Sequence, residues 1–299
     1  MISVIIPSYN SEKTIEKNLD ALLNQTYQDE YEIILVDSSN DRTPAIVNEK
    51  FSEIKFIHFN TKTDPGTARN AGVEESKGEL ILFIDSDCIA APDWIEKLVS
   101  KHKNNNYAAI GGSVMNGNDP KSSIAWAGYF AEFREFIPER PPSEVAHIPT
   151  CNISYKTSIF KTSNGFNPNY YPQEDLEFNY RLINSGQKIL FYPQATVFHN
   201  HRTDLKSFFK HQKNVGQITS KMLKILPIQG SLVVKNIFLT FILLPFLPAV
   251  KWIKTILVFI QYNRILILKH IPAIFIFAIG LIPWTFGFYL GVRSGFSEE

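Results

Sequence analysis

Short apolar runs alternate with amphipathic patterns through the first third of the chain. Four runs rich in β-branched residues predict strands, and apolar residues three or four positions apart predict helices between them. Alternation of this kind predicts a parallel sheet with helical crossovers. The predicted strands are Ser3–Pro7, Glu32–Asp37, Ile54–Phe59 and Leu80–Asp85.

The middle of the chain is less regular. Pro138, Pro141, Pro142 and Pro149 interrupt the periodicity between residues 116 and 149, which predicts an irregular surface segment covering a groove. Regular elements are predicted on both sides: helices at 92–100 and from Glu174 to Asn184, strands at 107–115 and 188–191, and renewed regular structure at 150–155.

The last hundred residues change character. Residues 202–224 are basic, with apolar side chains near helical spacing, and predict an interfacial amphipathic helix. Residues 232–250 are mostly apolar, and residues 271–292 carry no charge over a length that spans a bilayer. Gly287 and Gly291 have a spacing that either favours helix packing or is incidental. We expect an α/β domain at 1–200, a basic interfacial region at 201–230 and membrane-embedded helices at 231–299.

Charge divides the chain at the same place. Up to His199 there are 18 Lys and Arg against 26 Asp and Glu, and after it there are 12 against three. Basic residues beside long apolar runs match the anionic headgroups of membrane lipids, whereas a nucleic-acid-binding protein more often spreads its basic patch over a soluble fold. The sequence therefore predicts membrane lipids as partners and no nucleic acid.

The same charges predict a topology. Four basic residues and no acidic residue lie between 251 and 269, so a hairpin of two spans would place them outside, against the positive-inside rule. A helix broken at Pro245 and Pro248 would instead enter the bilayer and return. We expect residues 251–270 to stay cytoplasmic or interfacial and residues 271–292 to form the one true span.

Cysteine content and the N-terminus indicate the compartment. Cys88 and Cys151 are the only cysteines, and they lack the spacing of a metal site or a disulfide framework, so a reduced, cytosolic setting is expected. Residues 1–10 have no basic segment, and their apolar run ends at Pro7. We interpret this run as a strand and not as a signal peptide.

Candidate chemistry begins at the carboxyl ends of the predicted strands. Asp85 and Asp87 follow the apolar run that begins at Leu80, so two carboxylates lie at one strand end. Ligands of open α/β sheets gather at such ends, and paired carboxylates suit Mg²⁺ or Mn²⁺ bridging two phosphates. The other interpretation is a solvated turn, because Asp-x-Asp also occurs by chance in loops.

The surrounding motifs decide between these interpretations. They are Ser3–Asn10, Val36–Thr43, Gly66–Gly72, Asp85-x-Asp87 and Gln173–Asp175. In this order and spacing they resemble glycosyltransferase family 2 over residues 1–200. The resemblance implies the GT-A fold, an α/β fold with a mostly parallel central sheet. It also implies inverting transfer of a sugar from a nucleotide-diphosphate donor.

The resemblance assigns the early motifs to the donor, expected to be a UDP-sugar. Tyr9 would offer a stacking face, and Asp37 would accept from the N–H edge of the base. Without the resemblance to the family, Tyr9 would be interpreted as an exposed aromatic residue and Asp37 as a helix-capping acid. Arg69 would pair with the donor or with Asp85. The implied donor-binding residues are Pro7, Tyr9, Glu12, Asp37, Arg69 and Asp85.

The resemblance also implies a divalent cation, Mg²⁺ or Mn²⁺. Asp87 matches the principal metal ligand, and Asp85 matches the acid that contacts the ribose or the metal. His199 matches a further metal contact in some members of the family. His201 could take that role instead, and a lone histidine is more often structural.

Asp175 matches the catalytic base of the family. It stands at the start of a predicted helix, whose N-terminus stabilises a carboxylate, and it would take the proton of the attacking acceptor hydroxyl. Without the other motifs, Asp175 would be interpreted as an ordinary capping acid. Cys151, Asn152 and Glu174 match positions near the acceptor.

Other functional classes fit less well. Processive synthases of the family carry Gln-x-x-Arg-Trp, and no Arg-Trp follows Gln212, so transfer of one sugar to a lipid-linked or other glycan is expected on the cytoplasmic side. The alternative is an inactive, nucleotide-sugar-binding membrane scaffold, against which the intact acidic residues argue. A nucleotidyltransferase would need a glycine-rich basic loop that residues 7–10 do not supply. The polar first 200 residues exclude a transporter.

Overall fold

The computed structural model describes residues 1–103 and 105–294, and the chain divides into two compact units. The N-terminal unit comprises residues 1–117 and 136–199, and the C-terminal unit comprises residues 118–135 and the chain from 200 onward. The division after His199 lies one residue from the expected end of the α/β domain. The basic region and the apolar helices, expected as separate segments, belong to one unit.

The apolar runs of the N-terminal unit form a sheet of nine strands within the described residues. The four strands predicted in the first third are present, with ends shifted by at most two residues. All of β1 is buried, as expected for a parallel strand covered on both faces. The strands are β1 (Ile2–Ser8), β2 (Tyr31–Asp37), β3 (Lys55–His58), β4 (Leu80–Phe83), β5 (Cys88–Ala90), β6 (Ala109–Asn116), β7 (Ser143–Val145), β8 (Ile153–Lys156) and β9 (Ile189–His199).

The sheet is mixed, with the strand order β3-β2-β1-β4-β8-β6-β9-β5 and with β7 beside β9. Strands β3, β2, β1 and β4 are parallel, and so is the pair β6–β9. The pairs β4–β8, β6–β8, β5–β9 and β7–β9 are antiparallel. The expected α/β fold is present, and four of the eight strand pairs within the described residues are parallel, three of them among the first four strands. Strands as short as β5 and β7 carry no sequence signal of direction.

Helices pack in both units. In the N-terminal unit, helices connect the strands, whereas the C-terminal unit is helical throughout its described part. The helices are α1 (Ile15–Leu23), α2 (Thr43–Lys50), α3 (Pro65–Glu74), α4 (Trp94–Lys103), α5 (Ser123–Glu132), α6 (Thr157–Thr162), α7 (Glu174–Asn184), α8 (Leu205–Ile225), α9 (Ser231–Lys235), α10 (Ile237–Leu243), α11 (Leu247–Lys269) and α12 (Ile271–Arg293).

An aromatic cluster fixes α7 against the sheet. Phe178 of α7 is fully buried, with its ring centroid 5.3 Å from that of Tyr155 on β8 and 4.8 Å from that of Phe160 on α6. Phe83 at the end of β4 lies 5.9 Å from Tyr155. Each such pair contributes about 0.5–1.5 kcal/mol beyond area burial. The cluster therefore holds the first turn of α7 in a defined position.

The stretch expected to be irregular contains helix α5, which belongs to the C-terminal unit. Ser122 caps the helix by accepting a hydrogen bond from the Ala125 backbone N–H at 3.3 Å. Residues 125–131 are all buried. A helix that is buried on every side has no amphipathic period, so the hydropathy pattern did not predict it.

Helices α8 and α12 pack with their backbones in close approach. A Cβ atom on Gly287 would lie 1.9 Å from the carbonyl oxygen of Lys213, and one on Gly291 would lie 2.2 Å from that of Gln217. No side chain fits at either position without moving a helix. Gly287 and Gly291 therefore form a helix-packing face. Helix α8, which was expected at the membrane interface, packs one of its sides against α12.

The apolar segment before α12 does not reverse at its prolines. Residues 244–246 form a 3-10 turn between α10 and α11, and the helical segment runs from Ile237 to Lys269. The predicted return of the chain at Pro245 and Pro248 is wrong, because both prolines occupy first-turn positions that need no N–H donor. Ile237–Lys269 and Ile271–Arg293 are long and apolar enough to cross a membrane, which weakly suggests membrane association.

Candidate active site

A cavity opens where the carboxyl ends of the parallel strands β1 and β4 meet. It has a volume of about 190 Å³ and is lined by Pro7, Tyr9, Arg69, Asp85 and Asp87, all of which the sequence predicted as site residues. Tyr9 is 40% exposed, so its ring face is accessible to a ligand. Parallel strands ending at one edge bring together residues that are far apart in the sequence.

Arg69 of α3 is the centre of the charge network. Its Nη2 donates to Asp85 Oδ1 at 2.6 Å, and its Nη1 donates to Glu174 Oε1 at 2.9 Å. Burial alone would lower the pKa of the guanidinium, but the two carboxylates raise it above its ordinary value. Arg69 was predicted to pair with the donor or with Asp85, and the structure shows the pair with Asp85. Arg69 thereby links the end of β4 to the start of α7.

Glu174 is buried, which corrects its predicted contact with the acceptor. Its Oε1 accepts from Arg69, and within residues 1–103 and 105–294 its Oε2 has no hydrogen-bond partner. Burial raises the pKa of Glu174 to about 7, although Arg69 opposes that shift. A Cβ on Gly66 would lie 2.9 Å from Glu174 Cγ, so the glycine leaves room for this side chain. Glu174 positions Arg69, and only 4% of its side chain is exposed.

His199 reaches the acidic loop from the end of β9. Strand β5 pairs antiparallel with β9, which places Cys88 opposite His199. His199 Nε2 lies 3.6 Å and Cys88 Sγ lies 3.8 Å from Asp87 Oδ1, and one ligand atom from each of the three lies within 4.8 Å of the others. This set fits a divalent cation. Asp85 is not part of the set, because Arg69 holds its carboxylate.

His201 belongs to the C-terminal unit. Its ring centroid lies 6.2 Å from that of Tyr129 and 5.5 Å from that of Phe133. Its backbone N–H donates to Asn118 Oδ1 at 2.6 Å. The structure therefore gives His201 a packing role, and His199 is the histidine beside the acidic loop.

Asp37 and Glu12 do not line the cavity. Asp37 is fully buried at the end of β2, where it accepts from Ser39 Oγ at 2.5 Å and lies 2.9 Å from His58 Nδ1. Glu12 is exposed, and its Oε2 accepts from the Arg42 backbone N–H at 3.3 Å. Both acids order the loop after β2. Their direct contact with a nucleotide stays a prediction.

Helix α1 holds the loop that carries Asp85 and Asp87. The buried Asn18 donates from Nδ2 to the carbonyl oxygens of Asp85 at 3.1 Å and Cys88 at 2.7 Å. The sequence analysis missed this residue. The sequence did carry a signal for Asn18, because this residue lies on the face of α1 that also buries Ile15 and Leu19.

The loop before α3 supplies two further polar groups. Lys62 Nζ lies 4.6 Å from the ring centroid of Tyr9, which lines the cavity. Asp64, which the motifs left without a role, caps α3 by accepting from the Thr67 backbone N–H at 2.9 Å. Lys62 was missed because a single loop lysine has no distinguishing pattern.

Asp175 stands in the first turn of α7, as predicted. It is half-buried, and its Oδ2 accepts from the backbone N–H of Thr150 at 3.2 Å. Its neighbour Glu174 binds Arg69, which lines the cavity. Asp175 is thus held by a backbone contact beside the charge network while part of its side chain stays accessible.

The predicted acceptor contacts Cys151 and Asn152 are corrected by their burial. Asn152 is fully buried and accepts from Trp94 Nε1 at 2.7 Å. Its amide group donates to the carbonyl oxygens of Ser113 at 2.8 Å and Ala195 at 2.9 Å. Cys151 is buried as well. Asn152 ties α4, β6 and β9 together, and neither side chain is accessible at the surface of this structure.

Sequence comparison identifies relatives of this chain. The sequence model described as Glycosyl transferase family 2 matches residues 3–163. Glycosyltransferase AglE of Haloferax volcanii is 27% identical over 72% of this chain and 72% of its own length. The Methanococcus voltae dolichyl N-acetyl-alpha-D-glucosaminyl phosphate 3-beta-D-2,3-diacetamido-2,3-dideoxy-beta-D-glucuronosyltransferase is 26% identical over 75% of this chain and 74% of its own length. A pre-mycofactocin glycosyltransferase from Mycobacterium tuberculosis is 23% identical to this chain, which spans 46% of that protein's length.

Solved structures share the fold. S. aureus TarS 1-349 in complex with UDP aligns with a TM-score of 0.55 and 19% identity, covering 93% of this chain and 89% of TarS 1-349. GalNAc-T7 with UDP, GalNAc and Mn²⁺ aligns with a TM-score of 0.54 and 18% identity, covering 68% of this chain and 44% of its own. The α/β architecture with a mixed sheet is therefore the GT-A fold.

Proposed function

The chain belongs to glycosyltransferase family 2, and on that premise we propose that it transfers one sugar from a nucleotide-diphosphate donor to a lipid-linked glycan with inversion. The observation that carries the proposal is the arrangement around Arg69. This residue lines the cavity that holds Tyr9 and Asp87, and it binds the residue next to Asp175. Donor-binding groups and a base are thus held by one network.

The donor is proposed to be a UDP-sugar bound at this cavity. Tyr9 offers an exposed ring for stacking on the base. Arg69 lines the cavity and Lys62 lies beside Tyr9, so both supply positive charge for a diphosphate. UDP bound to TarS and to GalNAc-T7, which share the fold, is consistent with this choice.

A divalent cation is proposed to be held by Asp87 and His199. Their oxygen and imidazole ligands suit Mn²⁺ better than Mg²⁺, which prefers oxygen ligands alone. When bound, the cation would neutralise charge on the leaving diphosphate. GalNAc-T7 bound Mn²⁺, which is consistent with this assignment. Asp85 is assigned to the donor side, where it orients Arg69.

Asp175 is proposed as the general base. It would accept the proton of an acceptor hydroxyl while that hydroxyl attacks the anomeric carbon from the side opposite the diphosphate. One displacement of this kind inverts the anomeric configuration. The bond from Thr150 N–H leaves Asp175 Oδ2 oriented, and general-base catalysis is commonly worth a factor of about 10² to 10⁴.

The acceptor is proposed to be a membrane lipid carrying a phosphate-linked saccharide, presented on the cytoplasmic side. The Methanococcus voltae relative is named for a dolichyl N-acetyl-alpha-D-glucosaminyl phosphate. The C-terminal unit exposes large apolar side chains along α10, α11 and α12, a surface that suits contact with lipid acyl chains. Lys251 and Lys254 lie in the middle of the apolar helical segment Ile237–Lys269, which favours an interfacial position for that segment over a spanning one.

Substitution of Asp175 by Asn tests the reaction. Asp175→Asn should bind UDP with unchanged affinity and lose transfer by a factor of about 10² or more, because an amide cannot accept the proton. Asp93→Asn, at an exposed ion pair on the protein surface, is the matched control and should retain full transfer. Asp87→Ala should weaken Mn²⁺-dependent UDP binding in calorimetry. Near-normal turnover by Asp175→Asn would exclude it as the base, and a wild-type protein that binds UDP without any transfer would favour the scaffold function.

A further inference from the structure

A second cavity lies entirely within the C-terminal unit, apart from the residues proposed for transfer. It has a volume of about 270 Å³ and contains three basic side chains, Arg134, Lys251 and Lys254. Among the described residues, no acidic side chain lines it. The remaining lining residues are Thr219, Leu223, Gly230, Val233, Leu247, Val250, Trp284 and Phe288.

The basic residues of this cavity have few acidic partners. Arg134 Nε pairs with Glu135 at 3.1 Å, and its Nη1 donates to Thr255 Oγ1 at 3.2 Å, which fixes the guanidinium. Lys251 Nζ lies 4.7 Å from the ring centroid of Trp284. In residues 1–103 and 105–294, neither Lys251 nor Lys254 forms an ion pair with a carboxylate. The two lysines at one apolar-walled space repel each other, and Arg134 beside them, unless a further anion joins them.

The walls of the cavity determine what kind of anion fits. Leu223, Val233 and Phe288 present apolar surface, which a free inorganic anion cannot use. Val250 lines the cavity and is also 47% exposed, so the cavity opens onto the apolar surface of α11. Ile253 and Leu257 continue that exposed surface along the helix. The arrangement matches a ligand with an anionic head and a long apolar chain.

The charge of the cavity favours a particular headgroup. A phosphodiester carries one negative charge, whereas a phosphate monoester carries up to two near neutral pH and has three oxygens that accept charge-assisted hydrogen bonds. Arg134 is paired with Glu135, and the two lysines without a carboxylate partner match the two charges of the second case better. We propose that this cavity binds the phosphate monoester end of one membrane lipid, whose chain lies along α11.

This inference rests only on the membrane association of the C-terminal unit and not on the transfer reaction. The full-length protein is mixed with phosphatidylcholine vesicles that contain either phosphatidic acid, a monoester, or phosphatidylglycerol, a diester, adjusted to equal surface potential. Binding to the phosphatidic acid vesicles should be tighter. Lys254→Gln, at an exposed position, should weaken that binding about fivefold and leave phosphatidylglycerol binding little changed.

Two further variants separate the cavity from general surface charge. Lys251→Gln should behave as Lys254→Gln does, and Lys251→Arg should restore the preference, which excludes misfolding as the cause. Lys210→Gln removes an equal charge from an exposed position of α8 outside the cavity. It should reduce binding to both vesicle types equally.

Several results would overturn the proposal. Equal binding to the two vesicle types, or equal losses from Lys254→Gln on both, would mean that only surface charge is recognised. Abolition of the preference by inorganic phosphate at constant ionic strength would identify a free-anion site. Failure to bind any vesicle would refute membrane association and, with it, this site, while UDP binding and transfer measured separately would still test the enzymatic proposal.

Discussion

Replacement of Arg69 by methionine is the most informative single perturbation of this protein. The change removes one side chain that binds both Asp85 at 2.6 Å and Glu174 at 2.9 Å in a buried environment. Glu174 would be left buried without its counter-ion, and loss of the cation would raise its pKa further above the present value of about 7. Breaking a buried ion pair from one side costs about 3–5 kcal/mol.

A double-mutant cycle isolates this coupling. Arg69→Met, Glu174→Gln and the double variant are heated in a neutral detergent, and unfolding is followed by tryptophan fluorescence. Arg69→Met should lower Tm by roughly 10 °C, because each kcal/mol shifts Tm by about 2–4 °C in a domain of this size. The double variant should lose less than the sum of the single losses, by about 1–3 kcal/mol, because it leaves no buried charge. Lys97→Met, at an exposed pair with Asp93, should change stability by under about 1 kcal/mol.

Additive losses in the cycle would refute the reasoning. They would mean that Arg69 and Glu174 contribute independently, and that the short distances between them carry no energetic coupling. In that case Glu174 would regain its place as a candidate acceptor contact. A loss of transfer in Glu174→Gln, with UDP affinity and Tm unchanged, would point the same way.

The other predictions concern pH, helix packing and topology. Burial lowers the pKa of His102 from 6.5 to about 4. As the pH falls, the unfolded state therefore binds a proton at His102 before the folded state does. The free energy of unfolding should fall by about 3 kcal/mol as the pH drops from 6.5 to 4. His102→Gln should flatten that slope in denaturant titrations. Gly287→Val should separate α8 from α12, because a Cβ on Gly287 would lie 1.9 Å from the carbonyl oxygen of Lys213. It should lower Tm in detergent by more than Ile282→Val does at a 68% exposed position of α12; equal losses would contradict close packing. Asn263→Cys should resist labelling by an impermeant thiol reagent in intact cells, because residues 251–270 are expected to stay cytoplasmic or interfacial. The background should be low, since both native cysteines are buried. Efficient labelling from outside would restore the two-span hairpin.

Local sequence patterns were sufficient to predict those strands and helices whose own residues carry the signal. The strands β1, β2 and β4 are apolar runs bounded by polar residues, so their positions follow from composition alone. Position in the motifs also predicted that Tyr9, Arg69 and Asp87 would lie together, since parallel strands end at one edge of a sheet. Helix α7 was predicted to the residue, because Gly186 provides a clear stop signal.

Burial of polar side chains could not be inferred in this way. The sequence does not distinguish an accessible Glu174 from a buried one, because its partner Arg69 is 105 positions away. Asn152 likewise matched an acceptor position, and only its contacts with Trp94, Ser113 and Ala195 show that its amide holds the core together.

The sequence by itself determined the type of chemistry and the strands that carry it, because residue type and spacing are local properties. Only the tertiary structure decided which of these side chains line the cavity and which are buried. It selected His199 over His201 through the pairing of β5 with β9, and it grouped α5 with the C-terminal helices although α5 lies within the α/β segment of the chain. These choices depend on contacts between distant residues, whose burial and electrostatic energies exist only once the chain has folded.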